Sequence, residues 1–368
     1  MGGTGPTPIV LRADAGASIG IGHAMRCLAV GQAWRDRSAR VVFATRDGAP
    51  GVEAKMRAEG IEVVRVPPPA GDESEMETVR IARDLGAAWA VFDGGGVDAK
   101  VVDALHTACC RVVMIDDEGA ASAGHPDVIV NQNTHATLAL YAECSGRTRR
   151  LLGPTYALLR REFRESLGWH RDFQGPARNV LVTLGGSDPN NATGVVLSAI
   201  EHVSVELDVV VVIGASNPHA DAVDRQAADS RARVRIERDT SRMSELMAWA
   251  DVAVSSGGST VWELAFMGLP SLVGSIASDQ GSLVASSPFF ESLGAFQEVR
   301  PEFLARALRE LVLDPARRAA QSAKARAVVD GRGCDRVLNV LSEIDRQARG
   351  RSSGTGIADR REARDERE

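Results

Sequence analysis

Short apolar runs recur along the first half of the chain, separated by segments whose apolar residues fall three and four apart. The runs at 9–13, 41–44, 62–66, 88–92, 112–115 and 128–130 read as strands. The segments 23–35, 51–58, 75–85 and 99–108 between them read as helices. Strand, helix, strand repeated in this order predicts right-handed crossovers and a mostly parallel sheet. Such a sheet carries its ligand loops at the carboxyl ends of its strands.

Gly153-Pro154 interrupts the pattern; a charged helix is expected over 158–167, and Gly175-Pro176 interrupts again. The alternation then restarts, with strands at 179–184, 207–213, 233–236, 252–255 and 271–273. Helices are expected at 191–202, 243–250 and 260–267, with a polar helix ending near Ser230 and more helix to about Gln347. The chain therefore divides into an N-terminal α/β lobe (1–152), a linker (153–176), a C-terminal α/β lobe (177–348) and a tail (349–368). The tail is rich in Arg, Asp, Glu, Gly and Ser, a composition that predicts disorder. Two doubly wound lobes on a short linker predict a ligand cleft between them.

Composition agrees and narrows the function. The length of 368 residues suffices for two cores, and 44% hydrophobic with only 4% aromatic residues suits layered helix-and-sheet packing. A net charge of −6 without a basic block argues against nucleic acid as the main partner. The longest uncharged stretch, 264–278, is too short for a membrane span and is broken by Gly and Pro. Met1 to Pro8 has neither the basic nor the apolar region of a signal peptide, so a cytoplasmic protein is expected. The five cysteines include no Cys-x-x-Cys, which indicates neither a zinc site nor a disulfide framework.

Two glycine-rich loops carry the candidate chemistry. The first strand runs through Asp14 into Gly20-Ile21-Gly22-His23 at the start of a helix. Glycines let the backbone turn sharply and approach a ligand, and the N–H groups of a helix start attract anions. The dinucleotide-binding pattern fails, because Met25 stands where its third Gly or Ala belongs. His23 is placed for proton transfer near neutrality, with Asp14 to orient it or touch substrate; alternatively, it simply bonds a backbone carbonyl at the helix start. In the second lobe, Gly257-Gly258-Ser259-Thr260 follows an apolar strand and suits a diphosphate, and Glu263 one turn on suits ribose hydroxyls. Thr260 and Glu263 also fit a purely structural capping box. Gly186 and Ser187, in Gly185-Gly186-Ser187-Asp188-Pro189-Asn190, form a similar turn, with Asp188 or Asn190 as an alternative helix cap. Asp279 and Gln280 are placed to read sugar hydroxyls, or Asp279 to cap a helix.

In this order, Arg12-Ala13-Asp14, Ile19 to Leu28, Ile115-Asp116-Asp117, Asn131-Gln132-Asn133, Gly153 to Arg160, Gly185 to Pro189 and Gly257 to Glu263 resemble the nucleotide-sugar hydrolase of pseudaminic acid biosynthesis and its spore-coat polysaccharide relatives. The resemblance covers about residues 8–345. That family is similar to the UDP-GlcNAc transferases of peptidoglycan synthesis, with the two-lobed GT-B fold. The resemblance implies hydrolysis of a UDP-sugar at the anomeric carbon, with inversion and without metal or cofactor. It implies His23 as general base, 257–260 on the diphosphate, Glu263 on the ribose and Met243 beside the uracil. Two positions depart from the family, both on the sugar side: Asp93-Gly94-Gly95 replaces Asp-x-Tyr, and Asp279-Gln280 replaces Asn-Gln. They point to a different sugar, or to an acceptor other than water. A glycosyltransferase is therefore the second expectation, and a nucleotide-sugar-binding protein without catalysis the third.

Overall fold

The computed structural model describes residues 7–16, 19–67, 73–94, 97–215 and 217–365, with backbone only for 122–123 and 351–365. Two parallel sheets form two α/β lobes. The first has seven strands: β1 (Ile9–Arg12), β2 (Val41–Thr45), β3 (Glu62–Arg65), β4 (Trp89–Asp93), β5 (Arg111–Ile115), β6 (Val128–Asn131) and β7 (Arg149–Leu152). Their spatial order is β3-β2-β1-β4-β5-β6-β7. The second has six: β8 (Asn179–Thr183), β9 (Asp208–Ile213), β10 (Arg233–Arg238), β11 (Val252–Ser256), β12 (Ser271–Ser275) and β13 (Glu291–Ala295), in the order β10-β9-β8-β11-β12-β13.

Strand order reverses once in each sheet, between β1 and β4 and between β8 and β11. Loops diverge at such a point and leave a crevice at the strands' carboxyl ends. The loops in question are those with 13–16 and 19–21 after β1 and Gly94 after β4, then the turns at 185–187 after β8 and 257–259 after β11. Topology thus assembles three of these glycine-bearing loops along one cleft, with Gly94 packed against His23 beside it.

Helices cover both faces of each sheet. The central strands of the first lobe are buried from end to end, as in β1, β2 and β4, which explains their unbroken apolar runs. The two strands absent from the sequence reading, β7 and β13, are both sheet edges, with the half-exposed sequences Arg-Arg-Leu-Leu and Glu-Ser-Leu-Gly-Ala. Charge on an edge strand protects it from pairing with another chain and also erases its apolar signature.

The chain passes between the lobes twice. The linker holds only one α-helical turn, Arg161–Arg164, where a helix over 158–167 was expected. It is packed on both sides: Leu158 joins the first-lobe core, while Leu159 and Phe163 join the second. The return crossing precedes the helix Gly333–Asp365. Gly333 lies so close to the Ala157 carbonyl that a Cβ there would collide with it, and the Cys334 thiol faces the Leu159 carbonyl at 3.7 Å.

This last helix corrects the expected boundaries. Cys334, Val337, Leu338 and Leu341 are buried in the first-lobe core, and Asp345 accepts from Trp89 Nε1 at 3.2 Å and pairs with Arg111 at 2.7 Å. Residues 334–345 therefore pack with the first lobe, although they follow the second in sequence. The helix extends to Asp365, into the segment from 349 for which disorder was expected. Among the described residues, no helix is long and apolar enough to cross a membrane.

Candidate active site

The cleft between the lobes encloses about 630 Å³, within the range of small-ligand sites. Its first-lobe wall begins at Gly20, whose φ of 80° turns the chain into the helix Gly22–Arg35. His23 is the second residue of that helix and keeps 25% of its side chain exposed. Its Nδ1 lies 2.7 Å from Asp93 Oδ1. A carboxylate only accepts, so in the neutral ring this bond requires the hydrogen on Nδ1 and leaves the lone pair on Nε2. Burial lowers the imidazole's proton affinity, but the Asp93 hydrogen bond and charge outweigh it and hold the pKa above 6.5.

Asp93 ends β4, fully buried, and the Arg26 guanidinium grips it through Nε at 2.8 Å and Nη2 at 2.6 Å. Two expectations are corrected here. Asp93 does not face the sugar side of the cleft; it lies beneath His23. Asp14 does not orient His23; it pairs with Arg12 at 2.6 Å and Arg46 at 3.0 Å and accepts from the Arg46 N–H, tying β1 to the loop after β2. Being nearest in sequence made Asp14 the obvious partner, but the sheet puts β4 beside β1 and brings in a residue seventy positions away. Gly94, with φ of 98°, lies under the imidazole; a Cβ there would sit 3.4 Å from His23 Cδ2. Gly95 falls outside the described residues.

The second-lobe wall is formed by the two expected turns, with Gly186, Ser187, Gly257, Gly258, Ser259 and Thr260 all lining the cleft. Among the described residues, no protein acceptor engages the N–H groups of Gly186, Ser187, Gly258, Ser259 or Thr260. Gly257 must be glycine, because a Cβ would lie 2.5 Å from Val284 Cγ2. Asp188 is a buried cap, accepting from the N–H groups of Ala192 and Thr193 at 2.8 and 2.9 Å, while Asn191 caps Gly194. The capping-box alternative for Glu263 does not form: the helix Thr260–Phe266 has Ser259 as N-cap and no side-chain cap bond. Instead Glu263 Oε1 is held by Arg160, at 2.9 Å from Nε and 2.8 Å from Nη2. Burial raises the Glu263 pKa despite the opposing pull of Arg160.

Met243 lines the same half of the cleft as the first residue of the helix Met243–Trp249. Asp279 and Gln280 lie in the turn Ser278–Gln280, with Asp279 exposed. Gln280 Oε1 accepts from the Ile276 N–H at 3.1 Å, which leaves its amide nitrogen as a donor.

Several cleft residues carried no individual expectation. Arg26, Asp117 and Asn133 form one network: Arg26 Nη1 and Nη2 each reach an Asp117 oxygen at 2.8 Å, and Asn133 Nδ2 donates to Asp117 Oδ1 at 2.7 Å. Lys55 reaches from the first lobe to the Thr240 carbonyl of the second at 3.1 Å. Arg26 lies one turn beyond His23, the available signal, but its partners sit on other strands.

Residues 179–332 match the model of the glycosyltransferase family 28 C-terminal domain. Over 345 residues the chain is 26% identical to the spore coat polysaccharide biosynthesis protein SpsG of Bacillus subtilis, covering 91% of this chain and 98% of that protein. It is also 30% identical over 134 residues to the pseudaminic acid cytidylyltransferase and UDP-2,4-diacetamido-2,4,6-trideoxy-beta-L-altropyranose hydrolase of Helicobacter pylori, covering 36% of this chain and 23% of that longer protein. Among solved structures, Acinetobacter baumannii MurG superposes with a TM-score of 0.63 at 14% identity, over 92% of this chain and 100% of the other. Anabaena Alr3699/HepE, in complex with UDP and glucose, superposes with a TM-score of 0.58 at 13% identity and the same coverages. The chain thus has the GT-B fold and is similar to the spore coat polysaccharide protein SpsG over nearly its whole length, and its second lobe matches the model of the glycosyltransferase family 28 C-terminal domain.

Proposed function

We propose that the protein is an enzyme that binds a nucleotide-sugar, UDP-linked, in the interlobe cleft and cleaves its anomeric C–O bond with inversion. The carrying observation is that His23, its Nδ1 held by Asp93, lines the same cleft as two turns in which the N–H groups of 186, 187 and 258–260 are uncommitted. In this reading water attacks C1 and passes a proton to His23 Nε2. The C1–O bond breaks toward the diphosphate, and UDP and free sugar leave. The N–H groups of 186–187 and 258–260, with the Ser259 and Thr260 hydroxyls, take up the departing charge. Glu263 receives the ribose through the oxygen Arg160 does not hold, Met243 packs beside the base, and Asp279 with the Gln280 amide reads the sugar. The Anabaena structure with UDP and the hydrolase relative support the nucleotide and the reaction in turn.

A glycosyltransferase using the same donor site is the second reading, favoured by the family 28 match and by Asp279 followed by Gln280. Incubating UDP-sugars with and without carbohydrate acceptors, with mass spectrometry of both products, separates the two. UDP and free sugar in water alone support the hydrolase; UDP only with an acceptor supports transfer. Tight binding without either product overturns both.

A further inference from the structure

We propose that Asp117, acting through Arg26, is a positioning residue that fixes the tautomer of His23. Arg26 Nη2 stands 2.9 Å from His23 Nδ1, within reach to donate to it. A bond in that sense would require a lone pair on Nδ1 and would move the imidazole hydrogen to Nε2. The ring would then present an N–H to the cleft and cease to be a base there. Nη2 carries two hydrogens. Asp93 Oδ1 takes one at 2.6 Å and Asp117 Oδ2 takes the other at 2.8 Å. None remains for His23, so Nδ1 keeps its own hydrogen for Asp93. Asn133 locks the arrangement by donating to Asp117 Oδ1.

Charge balance acts in the same direction. The groups facing His23 are Arg26 on its own helix, Asp93 at the end of β4 and Asp117 after β5; the second lobe presents Ser259 near Gly22 and the carboxylate Asp279 on the same cleft. Burial alone would raise the Asp117 pKa, but Arg26 holds it down to about 2, so it stays ionised wherever His23 titrates. Asp93, Asp117 and Arg26 sum to one negative charge, which a proton on His23 cancels. Without Asp117 the same proton would leave a net positive charge in a largely buried cluster, which disfavours it. Asp117 thus sets both where the resting hydrogen sits and how readily Nε2 accepts another.

The inference takes its meaning from His23 as the proposed base, but its test needs no substrate. In protein labelled with ¹⁵N-histidine, with the His23 signals assigned by His23→Asn, imidazole nitrogen shifts are followed against pH. The wild type should rest with hydrogen on Nδ1; a resting hydrogen on Nε2 overturns the proposal. In Asp117→Asn, the Asn133 bond keeps an oxygen at Oδ1, so an NH2 replaces the acceptor facing Nη2. The variant should shift toward the Nε2 hydrogen and lower the midpoint by about one pH unit. An unchanged tautomer and midpoint overturn the proposal, and the wild-type measurement decides if the variant does not fold. Calorimetry with UDP on the same samples tests the nucleotide site separately, so either reading can fail alone.

Discussion

Gly22 of the first lobe and Ser259 of the second meet across the cleft: a Cβ on Gly22 would lie 3.3 Å from the Ser259 hydroxyl. The proposed base and the proposed diphosphate turn are therefore held in register by an absent side chain. Gly22 has ordinary helical geometry, so a larger residue there is a wedge and not a backbone strain. Gly22→Val should lower turnover by about a hundredfold through misplacement of His23, with little change in melting temperature. Steady-state kinetics with unaltered kcat/KM would remove this contact from the account.

Replacing the proposed base should separate chemistry from binding. His23→Asn should reduce kcat by about 10² to 10⁴-fold, the usual contribution of a general base. UDP affinity by calorimetry should stay within about twofold. A variant that turns over normally would deny His23 its role.

The pH profile follows from the bond to Asp93. The raised pKa means that His23 is neutral only above a value higher than 6.5, so kcat/KM should rise with pH through that value. In Asp93→Asn the lowering effect of burial remains and the opposing carboxylate is gone, so the limb should move to lower pH while the rate falls. By linkage, His23 protonation adds stability below pH 6.5 that is lost as pH rises through the raised value. A limb that stays in place in Asp93→Asn would mean that another group is being titrated.

Glu263 offers a test of nucleotide orientation. Glu263→Gln keeps the shape and leaves Arg160 with Glu162 as its remaining carboxylate. UDP affinity should fall by roughly tenfold for the loss of a charge-assisted bond. 2′-Deoxy-UDP should bind less tightly than UDP to the wild type and about equally to the variant. Equal discrimination in both proteins would place the ribose elsewhere.

The return of the last helix has a consequence for stability. Leu338 is fully buried in the first-lobe core, so Leu338→Ala should cost about 2–5 kcal/mol in chemical denaturation. Because the helix follows the second lobe in sequence but packs with the first, truncation after Arg332 should unfold the first lobe and spare more of the second. Loss confined to the second lobe, read by hydrogen exchange, would contradict this packing.

The alternation of apolar runs and helical spacing determined the two parallel sheets, because central strands covered on both faces must be apolar throughout. Gly20, Gly257 and Gly258 were legible as loop glycines, since glycine in the loop after a buried strand reports a local backbone requirement, and all three line the cleft. Of the edge strands, β3 and β10 were legible, but β7 and β13 were not, because they give up their apolar runs at the rim of each sheet. Nor was the partner of His23. Local sequence offered Asp14, yet strand order sets β4 beside β1 and brings Asp93 under the imidazole, while Asp14 is taken by Arg12 and Arg46. The same order brings Asp117, after β5, to Arg26 and Asn133, after β6, to Asp117, and a crossing of the lobes carries Leu338 back to the first core. Sequence periodicity records which residues are buried; which buried charges meet depends on strand order, which only the tertiary fold decides.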